Sequence, residues 1–69
     1  MTIIERAIQK SINDNSTVNV HVEDSDLALT MVEADPTVEC DFCHMGSYTD
    51  VWGTRSGEDF RIYIHTVVS

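Results

Sequence analysis

Between Ser11 and Thr54 the chain runs 44 residues without a lysine or arginine, and that stretch holds nine carboxylates. They are Asp14, Glu23, Asp24, Asp26, Glu33, Asp35, Glu39, Asp41 and Asp50. The four basic residues, Arg6, Lys10, Arg55 and Arg61, all lie nearer the two ends. The formal net charge of -8 is therefore concentrated in the middle of the chain. Like charges oppose compaction, and a small domain has little stability to spare. Such a stretch points to a setting or a partner that makes use of the charge.

Sixty-nine residues make a single domain, 1–69, with no internal repeat. A chain of this size buries only about 60% of its unfolded surface. It nevertheless reads as folded, because 42% of it is hydrophobic and the aliphatic residues come in periodic runs. The start, Met1-Thr2-Ile3-Ile4-Glu5-Arg6, has no basic leader followed by an apolar run, so no secretory signal is expected. No apolar run is long enough for a bilayer, and anionic headgroups would repel the surface, so no membrane association is expected. The expected location is the cytoplasm, or the host cytoplasm for a phage gene, with Cys40 and Cys43 reduced.

Thr2 and Glu5 form a capping-box pattern, and Ile3, Ile4, Ala7, Ile8 and Ile12 follow at helical spacing. Asn13-Asp14-Asn15-Ser16 stops that helix. Thr17 to Val22 alternates as a half-buried strand, with Val18, Val20 and Val22 on one side. Asp24, Ser25 and Asp26 offer caps for a second helix, roughly 26–34, ended by the approach to Pro36. Its expected inward residues are Leu27, Met31 and Ala34, with Ala28 and Val32 beside them. Residues 37–43 read as an extended segment. Tyr48 to Gly53 and Asp59 to Val67 read as two strands joined through Thr54-Arg55-Ser56-Gly57. The order α-β-α-β-β, with a further strand near 37–43, predicts a two-layer α+β domain. Two helices would cover one face of a small antiparallel sheet and leave the other face open.

Cys40-Asp41-Phe42-Cys43-His44 is the sharpest local motif. Its spacing matches covalent haem attachment, but the β-rich surroundings do not. As a zinc site the two thiolates would need completion by His44, His65 or His21, and a strong zinc signature has a second cysteine pair. A redox pair needs a lowered thiol pKa, and Glu39 and Asp41 would raise it. The plainer expectation is that Cys40 is a small core residue on the face of Val38 and Phe42, and that no cofactor is required.

No nucleophile-base spacing, phosphate-binding glycine loop or metalloprotease pattern is present, so catalysis is not expected. Four basic side chains are too few for direct nucleic-acid binding, because phosphate contacts supply that affinity. The repulsion can instead work through a protein. Outward residues two apart on a strand are separated by roughly 6.5–7 Å. Glu39 and Asp41 fit that spacing, Asp24 and Asp26 begin the second helix, and Glu33 and Asp35 end it. With Asp50 they would form a row of charge that enters a basic groove built for nucleic acid. Trp52, Tyr48 or Tyr63 would anchor it once docked.

In size, charge and the 11–54 stretch, the chain resembles the small phage-encoded inhibitors of bacterial defence, notably anti-CRISPR proteins and DNA-mimic anti-restriction proteins. The resemblance implies a non-catalytic protein that binds a defence nuclease or surveillance complex and blocks its DNA site. It assigns no residue a role, since those inhibitors share no motif to align. Salt adaptation and plain solubility are the competing explanations of the acidity. A zinc domain organised by Cys40 and Cys43, or a homodimer formed through the open sheet face, are the competing functions.

Overall fold

The computed structural model describes residues 2–67. The elements run α1 (Ile3–Asp14), β1 (Thr17–Val22), α2 (Ser25–Ala34), β2 (Val38–His44), β3 (Tyr48–Arg55) and β4 (Glu58–Thr66). This is the expected two-layer α+β architecture, and the 37–43 segment is a full strand. The four strands stand in the order β1-β4-β3-β2. The pairs β2–β3 and β3–β4 are antiparallel, whereas β1 pairs parallel with β4, so the sheet is mixed and not antiparallel throughout as expected. The parallel pair follows from the connections. Helix α2 carries the chain from one edge of the sheet to the other, and two hairpins return it until β4 lies beside β1.

Local chemistry sets the boundaries. Thr2 and Glu5 complete the capping box of α1, and Asn15 ends it in a left-handed conformation. Asp24 caps α2 by accepting from the Leu27 N–H at 3.0 Å. The β3–β4 connection is shorter than the four residues expected. Ser56 and Gly57 alone form it, both at positive φ, as a right-twisted two-residue hairpin requires. Gly53 pairs with Cys40, and an added Cβ would sit 2.6 Å from the Cys40 Cα. Only glycine lets β2 and β3 approach so closely there.

Helix α1 packs on β4 and β1, and α2 on β2 and β4. The core lies between them and one sheet face: Ile4 and Ile8 from α1, Leu29 and Val32 from α2, then Val20, Val51, Phe60, Ile62 and Ile64. Burying each such side chain contributes about 1.5–3 kcal/mol. The phase of α2 differs from the expected one. Ala28, Leu29 and Val32 are buried, while Leu27 is 57% and Met31 44% exposed, and Ala34 is also exposed. Five apolar residues within six positions surround most of this helix, so periodicity alone does not fix which side turns inward. Ile3 likewise turns outward, and the buried Ser11 takes a place on the inner face of α1.

Candidate partner-binding surface

The alternation of the strands sorts the acidic residues. Val38 and Cys40 on β2 turn toward the helices and pack on the core, so Glu39, Asp41 and Cys43 lie on the open face. Asp24 and Asp26 lie at the start of α2, and Glu33 and Asp35 at its end. Because α2 crosses the sheet from the end of β1 to the start of β2, the six carboxylates follow it: Asp24 and Asp26 where it leaves β1, Glu33 and Asp35 where it reaches β2, then Glu39 and Asp41 on the open face of β2. No lysine or arginine falls between Asp24 and His44. Helix α1 and β1 carry Glu5, Arg6, Lys10 and Asp14, which balance. Most of the net charge thus resides on α2 and β2. Asp35 is held in place by Thr37, whose hydroxyl and N–H donate to it at 2.7 and 2.9 Å. These two donors hold the Asp35 carboxyl below its ordinary pKa.

Asp50 does not join this band. It is only 6% exposed and accepts from Arg61 Nε at 3.0 Å and Nη2 at 2.5 Å. The physical reason is register: Asp50 pairs with Tyr63 and Trp52 with Arg61, so Asp50 and Arg61 are diagonal neighbours on the open face. The hydrogen bond and charge of Asp50 push the Arg61 pKa further up. The charge of Asp50 is spent inside the protein. Trp52, by contrast, is 39% exposed, with Asp41 and Arg61 as its cross-strand partners. Tyr48 and Tyr63 are half-buried against each other, with ring centroids 4.7 Å apart. His21 and His65 stack at 4.8 Å beside them, and the His65 ring lies 2.8 Å from Asn19 Oδ1.

The two cysteines are three residues apart on a strand, which places them on opposite faces of β2. Cys40 is part of the helix-side packing, and Cys43 is exposed on the open face. Burial pushes the Cys40 thiol up, and Glu33 and Asp41 add to the shift. His44 lies on the helix side at the end of β2, its Nδ1 3.0 Å from Thr49 Oγ1, whereas His65 lies across the sheet beside His21. The residues considered for zinc are therefore dispersed. Among the described residues no group of three or more His, Cys, Asp or Glu side chains converges closely enough to hold a metal ion.

Two features of this surface lie outside the sequence reading. One is the Asp50–Arg61 pair, which a two-residue turn at Ser56-Gly57 would have placed, since that turn fixes the register. The other is an open cleft between α1 and α2, created by the outward turn of Leu27 and Met31. Comparison with protein-family models, with curated proteins and with solved structures finds no match. Among the described residues no helix is long and apolar enough to cross a membrane.

Proposed function

We propose that this chain is a non-catalytic, protein-binding inhibitor whose acidic side occupies a basic nucleic-acid-binding surface of a host defence complex, in the manner of an anti-CRISPR or anti-restriction protein. The observation that carries the reading is the band of Asp24, Asp26, Glu33, Asp35, Glu39 and Asp41 along α2 and β2, two elements that contain no lysine or arginine. Opposing charge would speed the encounter and select a Lys/Arg-lined partner. Trp52, exposed beside Asp41, supplies an apolar anchor of the kind that holds such interfaces together. Carboxylates on an edge strand also discourage β2 from pairing with another copy, which favours a foreign partner over self-assembly through that edge. In this reading the protein acts in the host cytoplasm and needs no cofactor.

The test is inhibition of DNA cleavage by purified CRISPR effectors and restriction nucleases. The chain should reduce cleavage, and D26K/E33K/E39K/D41K, which leaves the Asp24 cap of α2 in place, should abolish the effect while leaving the circular dichroism spectrum unchanged. Inhibition that survives the four reversals would rule the acidic band out as the binding surface.

A further inference from the structure

The helix layer holds a second surface, distinct from the open-face residues Glu39 and Asp41. Helices α1 and α2 each pack on the sheet but make little contact with each other, which leaves a cleft between them. It comprises two adjoining hollows of about 330 and about 350 Å³ that share Thr2, Ile4 and Met31. Its walls are apolar. Ile3 is 56% exposed, Leu27 57% and Met31 44%, although all three are large aliphatic side chains. Leu27 and Met31 are one helical turn apart and form a continuous ridge on α2. Such clustering of exposed apolar groups on a small protein marks an interaction surface. The flexible Met31 thioether is suited to fit a partner's side chains.

The rim is acidic. Glu5 and Asp35 border one hollow, and Glu23 and Asp24 the other, with no lysine or arginine lining either. Arg6 and Lys10 line a different hollow, against β1. Helix α1 thus presents carboxylate toward α2 and its bases toward β1. At 1.5 Å per residue the ten-residue α2 is about 15 Å long, enough to seat roughly three turns of a helix beside it.

We infer that this cleft is a docking groove for a cationic amphipathic helix of a partner protein, whose apolar stripe covers Ile3, Leu27 and Met31 and whose flanking Lys or Arg residues meet the four rim carboxylates. Apolar residues in the partner at i, i+3, i+4 and i+7 match such a groove. The charge complementarity fixes the sign of the flanks. Asp24 and Asp35 belong to both the rim and the acidic band, but Ile3, Leu27 and Met31 belong to the cleft alone, so a test read at those three residues separates this occupancy from the proposed mimicry of phosphates.

The probe is a synthetic Leu/Lys peptide of about 14 residues with its leucines on one helical face. Its control has the same composition in an order that forms no apolar face. Amide chemical shifts of the labelled full chain should move at Ile3–Ile8 and Leu27–Asp35, and the control peptide should bind far more weakly. L27N/M31N alters only exposed positions and should weaken the peptide at least tenfold, by the loss of two buried apolar side chains. E23K should weaken it severalfold, whereas E58K/D59K, which changes the net charge at the β3–β4 turn, should leave it within about twofold. Equal binding of the control peptide, shifts confined to β2 and the open face, or an unaffected L27N/M31N variant would overturn the assignment. So would sedimentation showing a dimer of the chain that L27N/M31N dissociates, because the groove would then belong to a second copy.

Discussion

Ser11 shows how one small side chain can hold two layers together. Its hydroxyl is 1% exposed, donates to the Ser16 carbonyl at 2.6 Å and accepts from the Arg61 N–H at 2.8 Å. It thereby ties the last turns of α1 to β4 at the point where β1 begins. Ser11→Ala removes the acceptor and leaves the Arg61 N–H unsatisfied, which should cost about 1–3 kcal/mol in urea unfolding. No change in the midpoint would show that water replaces the hydroxyl. The two thiols provide a second test at the same scale. Cys43 is exposed, and Cys40 is partly buried with its pKa pushed up. Native protein treated with an aromatic disulfide reagent near pH 8 should react in two phases, and Cys43→Ser should remove the fast one. Equal rates at both sites would contradict the placement of Cys40 against the core.

At the scale of elements, Asp35 links the end of α2 to the entry of β2. Its carboxyl is held low by Thr37, so its bonds stabilise the fold above the unfolded value near 3.8 and are lost as pH falls through the lower, folded value. Asp35→Asn should therefore flatten the acid limb of stability, measured as thermal midpoint against pH, while lowering stability at neutral pH. An unchanged acid limb would mean that the Thr37 contacts are not selectively made to the ionised form. The order of elements was legible because each carries its own signal: the capping box at Thr2, the valine alternation of β1, the turn residues at Asn13–Ser16. What was not legible depends on tertiary choice. The apolar residues of α2 permit more than one inward face, and only packing against β2 and β4 selects Leu29 over Leu27 and Met31. The parallel β1–β4 pair joins segments at opposite ends of the chain, and no local pattern announces it. The acidic band was legible as composition. Its division between the helix layer and the open face became definite with the alternation of β2, and the register of β3 with β4 withdrew Asp50 from it.

At the scale of the whole molecule, two properties meet on α2: a carboxylate band that continues onto β2, and an apolar cleft whose rim shares Asp24 and Asp35 with that band. The α1–β1 side is balanced, so the protein has an electrostatic direction that would orient its approach to a basic partner. Salt adaptation or solubility alone would be served equally well by carboxylates spread evenly over the surface. Occupation of a DNA site by the acidic band is read most directly in a competition between this chain and a labelled DNA duplex for one purified defence nuclease, followed between about 50 mM and 200 mM salt. Binding of the chain and of DNA should be mutually exclusive, with affinity for the chain falling steeply as salt rises. A ternary complex of nuclease, DNA and chain, or an affinity insensitive to salt, would contradict it.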